Sequence, residues 1–171
     1  MKGKTTIRQE ILRFIDSNKD EVSMFPPEML EELQNRFGDR AIPGLIERLE
    51  DGHPDVRHCV VQILAFAQDN SAIPALIKRF DDDDCGVVEV VLARIQRFGP
   101  AAAEAIPKLE PWLESPNEYL RLRAAISILA IAPNRTDLLP MIWDATTSEN
   151  QTARDMAREF FRKRVADDQH P

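Results

Sequence analysis

With 171 residues, 43% of them apolar and 30% charged, the chain is long enough for one sizeable domain or a short array of repeats, and too apolar for disorder. Its 29 Asp and Glu against 22 Lys and Arg leave a net charge of −7, which counts against a nucleic-acid binder built on a basic face. No apolar run approaches the ~20 residues of a membrane span, and MKGKTTIRQE lacks the apolar stretch of a signal peptide, so a cytoplasmic chain with Cys59 and Cys85 as reduced thiols is expected.

In chain order, residues 6–17 and 27–37 read as two helices, with Ile7, Ile11 and Ile15 in register and Gly38 as a stop. From there the prolines organise the chain. Pro43, Pro74, Pro107 and Pro140 are 31, 33 and 33 residues apart, an interval typical of stacked repeats. Two positions after each proline stand Leu45, Leu76, Leu109 and Ile142; eight after stand Asp51, Asp82, Ser115 and Ser148. Val56, Val87, Leu120 and Ala153 follow at thirteen, Val60, Val91, Ala124 and Ala157 at seventeen, and Leu64, Ile95, Ile128 and Phe161 at twenty-one. The last three columns share one face of a helix, so Val60, Leu64, Val91, Ile95, Ala124 and Ile128 are predicted to be almost fully buried.

Each unit therefore reads as helix, short loop, helix. First helices are predicted near 40–50, 71–80, 104–114 and 137–147, second helices near 52–67, 83–98, 116–132 and 149–165. The prolines fall in the first turn of the first helices, where a missing N–H costs little. Asp39, Asn70 and Thr136 read as caps of first helices and the Asp/Ser column as caps of second helices, with Ser115–Glu118 and Ser148–Gln151 completing capping boxes. The domain plan is an N-terminal helical cap over 1–39, four repeats over 40–70, 71–102, 103–135 and 136–165, and a frayed tail over 166–171, in one continuous domain. The arginine-rich last helix is expected to close the array with a polar face.

These columns resemble the HEAT repeat family, especially the short HEAT-like repeats also found in phycobilisome bilin lyases. The resemblance rests on AIPGLIERLEDGHPDVRHCVVQIL in the first unit and GPAAAEAIPKLEPWLESPNEYLRLRAAISILA in the third. The family's Asp…Val-Arg element stands at Asp55-Val56-Arg57, and its arginine recurs at Arg121 and Arg154; the second unit has Val88 instead. The resemblance implies an all-α, right-handed solenoid of about four HEAT-like helix pairs, with second helices lining a concave groove. It does not fix the function, because one such fold serves many partners.

Several residue groups admit a functional reading beside a plain structural one. His53, Asp55, His58, Cys59 and the acidic run Asp81–Asp84 combine into a metal site only if the run does more than cap and solvate a loop, and it lacks the Gly and final Glu of a calcium loop. A nucleophilic Cys59 or Cys85 needs a poised base, which sequence-adjacent His58 does not supply. Trp112 and Trp143 read as packing residues. Asp55, Arg57, Arg121 and Arg154 read as braces between neighbouring repeats. In the third unit's second helix, Leu122, Ile126 and Leu129 form a second apolar stripe. It is either covered within the chain or an exposed patch, rimmed by Glu89, Arg97 and Glu159, that receives a partner. No catalytic, cofactor-binding or metal-binding residue is assigned. The expected role is a non-enzymatic protein-interaction scaffold that binds another protein or a second copy of itself. The alternative is an accessory subunit of a lyase or other enzyme, with nucleic-acid binding third and no membrane partner.

Overall fold

The computed structural model describes residues 41–168, so the predicted cap helices and Asp39 lie outside the described residues. Among the described residues all regular structure is helical, in four successive pairs. The first helices are α1 (Ile42–Arg48), α3 (Ile73–Lys78), α5 (Ile106–Leu109) and α7 (Leu139–Asp144). The second are α2 (Pro54–Ala67), α4 (Cys85–Arg94), α6 (Glu118–Ile131) and α8 (Gln151–Asp168). Helix α8 runs three residues past its predicted end. First helices continue into 3-10 turns at Arg79–Asp81, Glu110–Glu114 and Ala145–Thr147.

The recurring Ala-Ile-Pro motif follows from this arrangement. In every first helix the proline is the second residue, and all four prolines are exposed. The ring fixes φ where backbone N–H groups have no intrahelical acceptor, so the helix start is defined without losing a bond. The alanine two residues earlier is buried in the first three pairs, and Leu138 takes its place in the fourth. Leu45, Leu76, Leu109 and Ile142, two residues later, are at most 1% exposed. The motif thus pairs a solvent-side start signal with a core anchor on the opposite face.

The six second-helix residues predicted for the core, Val60, Leu64, Val91, Ile95, Ala124 and Ile128, are at most 1% exposed. Leu120, in the same pattern, is only half-buried. Where the repeat pattern predicts one continuous domain, the described chain divides between Phe98 and Gly99 into two compact units. In the first, α2 packs on α1 and α4; in the second, α6 packs on α5, α7, α8 and the Glu110–Glu114 turn. At the division α4 gives way to a 3-10 stretch beginning at Ile95, broken by Gly99 at φ 53 and ψ −143. A side chain at that φ is strained even though the space beside Gly99 is open, so glycine is required by the backbone and not by crowding.

Leu64→Ala and Ile128→Ala are each expected to lower unfolding free energy by about 2–5 kcal/mol, the usual cost of emptying a packed position. Urea titration followed by circular dichroism checks this, and a loss well below 1 kcal/mol at both sites would reject the register.

Candidate functional site

The loops joining the helices of each pair are built by three positions acting together. Eight residues after each proline, Asp51, Asp82, Ser115 and Ser148 accept a hydrogen bond from the backbone N–H two residues on, at 2.9, 3.0, 3.2 and 3.0 Å. These short side chains close a tight turn; they are not the helix caps that the sequence predicts. The capping positions lie at the residues they hold. Asp84 accepts from the N–H groups of Gly86 and Val87, Asn117 from Tyr119, and Asn150 from Ala153, while His53 makes no side-chain cap. The predicted capping boxes do not form either: Ser148 Oγ donates to Glu118 Oε2 at 2.8 Å, joining the fourth pair to the third. Asn70 and Thr136 begin 3-10 turns instead of capping them, and Asp69 caps the first of these by accepting from Ser71 N–H.

The aligned arginines supply the third position. Arg57 Nη1 donates to the Asp51 carbonyl at 2.8 Å, Arg121 Nη1 to the Ser115 carbonyl at 2.6 Å, and Arg154 Nη1 to the Ser148 carbonyl. Each guanidinium reaches back six residues to the same loop position. Arg121 and Arg154 therefore brace their own pair, a correction to the inter-repeat role predicted for them. Asp55 braces nothing between pairs: its exposed carboxylate lies 3.5 Å from His53 Nδ1.

Arg57 alone of the three extends to the next pair. Its Nε and Nη2 grip both oxygens of Asp82 at 3.0 and 2.6 Å, and Nη2 also meets Asp83 at 2.6 Å. Arg79 reaches the other way, to the Leu49 carbonyl at 2.9 Å and to Glu50 at 3.0 Å, and also meets Asp82 at 3.3 Å. The Arg57 and Asp82 side chains are 7% and 1% exposed, so the fork-to-carboxylate pair is shielded from water. Burial, the largest influence on Asp82, pushes its carboxyl up, but the hydrogen bonds from Arg57 and Asp84 N–H and the charges of Arg57 and Arg79 outweigh it and hold it below its ordinary value. The hydrogen bond to Asp82 likewise raises Arg57. The acidic run thus divides its labour between pairing at Asp82 and Asp83 and capping at Asp84. No group of three or more potential metal ligands gathers among the described residues.

The predicted greasy patch is not exposed. Leu122, Ile126 and Leu129 are 1%, 9% and 3% exposed, so of the two outcomes the stripe allows, cover within the chain is the one observed, while Arg121 and Arg123 on the same helix are half-buried. Leu122 instead lines a cleft of about 380 Å³ with Glu118, Arg121, Met141, Asp144, Ala145, Thr147 and Ser148. Of the predicted rim, Glu89 is exposed. Arg97 donates to the Ala65 carbonyl at 3.0 Å and lies 5.9 Å from the centre of the Phe66 ring. Glu159 pairs with Arg162 and Lys163 on its own helix.

The chemistry-bearing residues are quiet. Cys59 is fully buried, and burial, aided by the Asp55 charge, pushes its thiol up to about 12. Burial likewise lowers His58. What the sequence reading missed lies at the end of the second unit. Trp143, read as a packing residue, is 63% exposed with its ring edge-on to Phe161 at 5.3 Å, and Val165 is 56% exposed. The signal was present: Trp143 follows the buried anchor Ile142, in a column that the first two pairs fill with half-buried Ile46 and Ile77.

The fold and its braced loops define a helical-repeat protein. Residues 27–96, a span that includes the first two pairs, match the family model for HEAT repeats. Phycocyanobilin lyase subunit alpha of Nostoc sp. (strain PCC 7120) is 35% identical over 103 residues, which is 53% of this chain. The chain spans only 37% of that relative's length. Among solved structures, the complex of CpcE and CpcF of phycocyanin lyase from Nostoc sp. PCC7120 superposes with a TM-score of 0.63 at 23% identity, covering 86% of this chain and 61% of that one. An engineered protein superposes with a TM-score of 0.51 at 16% identity, covering 91% and 72%. At these identities the structures speak for the fold alone. No helix among the described residues is long and apolar enough to cross a membrane.

Arg57→Ala is expected to destabilise the protein by about 3 kcal/mol, because it strands the buried Asp82 carboxylate. Arg121→Ala, which removes one loop bond, is expected to cost about 1 kcal/mol. Asp82 also sets a pH dependence. Its folded-state value is below the unfolded value near 3.8, so its contribution is complete above that pH and is lost as pH falls through the folded-state value. Asp82→Asn should lose that part of the acid limb, as denaturant titrations at pH 7 and pH 3 would reveal.

Proposed function

We propose that this chain is a non-catalytic protein-binding subunit that works in the cytoplasm as an accessory of a bilin lyase or an enzyme of similar kind. The observation that carries the reading is the 35% identity to phycocyanobilin lyase subunit alpha over 103 residues, joined to a repeat architecture that builds surface instead of a reaction centre. Of the two thiols, the one within the core is not available as a nucleophile. A thiol held near 12 stays protonated at neutral pH, and Cys59 has no access to solvent. In this reading the protein holds a partner in place through the outer surfaces of its helix pairs, and whatever covalent step follows belongs to the assembled complex.

The reading favours an accessory subunit over a scaffold for an unrelated partner because the relative is itself a subunit of a lyase by name. Co-expression with CpcF of the Nostoc phycocyanin lyase should give a complex that survives size-exclusion chromatography. Failure to co-elute would remove the accessory role. Transfer of phycocyanobilin to apo-phycocyanin by this chain alone would remove the non-catalytic one.

A further inference from the structure

The four pairs can be compared column by column, and the comparison singles out the outer face of α8. Fourteen residues after the proline stand Arg57, Val88, Arg121 and Arg154. Arg57, Arg121 and Arg154 make the same first bond, Nη1 to the loop carbonyl six residues back, and Arg121 stops there, on the wall of the cleft beside Leu122. In Arg57 the remaining edge of the guanidinium, Nε and Nη2, grips Asp82 of the following pair. In Arg154 only Nη1 is engaged, with the Ser148 and Glu149 carbonyls, and no carboxylate meets the rest of the fork among the described residues. The donor geometry that takes a carboxylate in the first unit is repeated here with the carboxylate missing.

The neighbouring columns extend the contrast. Four residues on, Val61, Leu92 and Ala125 are fully buried, whereas Arg158 is exposed, with Nε donating to the Thr146 carbonyl at 3.0 Å. At the next turn Leu64, Ile95 and Ile128 are at most 1% exposed, whereas Phe161 is only half-buried, its ring edge-on to exposed Trp143. Val165 follows one turn later and is 56% exposed. Arg154, Arg158, Phe161 and Val165 are spaced by four, three and four residues, one stripe of a helix, and Trp143 widens its apolar half. Exposed Arg158, Arg162, Lys163 and Arg164 supply the polar surface that the sequence predicts, but this stripe is not polar throughout. It is an amphipathic face with cations at one end and exposed aromatic and aliphatic surface at the other.

We propose that this face docks an acidic amphipathic helix of a partner protein, whose carboxylate takes the open edge of Arg154 as Asp82 takes that of Arg57 while its apolar side chains cover Trp143 and Phe161. The charge selects the occupant. A helix with basic flanks would meet Arg154 and Arg158 head on, and a neutral one would leave both guanidinium groups covered without a counter-charge. The exposed tryptophan is the kind of anchor that such interfaces use, with a large apolar ring and little rotamer freedom to lose. The inference rests on the protein-binding reading above only in requiring a partner, and it concerns where and by what chemistry that partner is held.

The test uses the full chain carrying Trp112→Phe, so that Trp143 is the one fluorescent tryptophan. Two synthetic amphipathic peptides of about 18 residues share a leucine stripe and differ in having glutamate or lysine flanks. The glutamate peptide should shift Trp143 emission to the blue and bind at least about tenfold more tightly than the lysine peptide, with an advantage that shrinks as salt rises. Arg158→Glu should abolish that preference. Arg154→Lys, which keeps the charge and loses the fork, should weaken the glutamate peptide with little change in the lysine peptide. Equal binding of the two peptides, an unshifted Trp143, or a preference untouched by Arg158→Glu would overturn the proposal. So would sedimentation showing that a second copy already covers Trp143. A CpcF complex that forms equally well with Arg158→Glu would reject this face and leave the accessory reading intact.

Discussion

One hydrogen bond, from an arginine to the carbonyl six residues behind it, secures the turn on which three of the four helix pairs depend. The donor lies in the second helix and the acceptor in the loop before it, so the bond ties the helix to its own entry. The short polar side chain at the acceptor residue closes the turn from the other direction, onto the N–H two positions ahead. Both groups lie close in sequence, so their bonds carry little loop-closure entropy. A turn fixed in this local way presents the apolar stripe of the second helix at a set angle, and the buried columns of valine, leucine and isoleucine can then meet.

The pairs differ in what they add to this shared turn, and the differences decide where the molecule is stitched. Between the first and second pairs the stitching is ionic and reciprocal: Arg57 reaches forward to Asp82 while Arg79 reaches back to the Leu49 carbonyl. Gln68 and Arg97 repeat the exchange just past the far ends of α2 and α4, the glutamine donating to the Arg97 carbonyl at 2.5 Å and the arginine to the Ala65 carbonyl. Between the third and fourth pairs Ser148 and Ala145 stand where Asp82 and Arg79 stood, and a single bond from Ser148 to Glu118 replaces the cluster. The cleft beside Leu122 opens where those charged side chains are lacking.

How much of this was legible in the sequence depended on the range of the interaction. The proline columns placed the four first helices and the buried stripes correctly, because both are set by residues within one or two turns of each other. The loop caps were misplaced by two residues, since Asp and Ser serve a tight turn as readily as a helix end and composition does not distinguish them. Reading Leu122, Ile126 and Leu129 as a patch failed for another reason. A helix with apolar residues on two faces can bury both, but which neighbours cover the second is a matter of packing that one helix does not reveal. Trp143 packs edge-on against Phe161, as a packing residue does, yet stays largely exposed, and its column in the other pairs is never fully buried either. The division at Gly99 was equally hidden, since a glycine–proline step marks a bend without saying how the packing divides around it.

The two cysteines, set apart so sharply by their surroundings, make the wild-type chain behave as a single-cysteine protein. Cys59 is sealed in the core with a thiol that resists ionisation, whereas Cys85 stands exposed as the first residue of α4, one step beyond the acidic run. A maleimide dye or nitroxide spin label would therefore attach at one defined point without any mutagenesis. That point adjoins Asp84, which caps α4, and lies three residues from Asp82, which holds Arg57, so the label would sit next to the ionic stitch of the first unit. The molecule thus carries its own spectroscopic handle on the joint between its first two repeats.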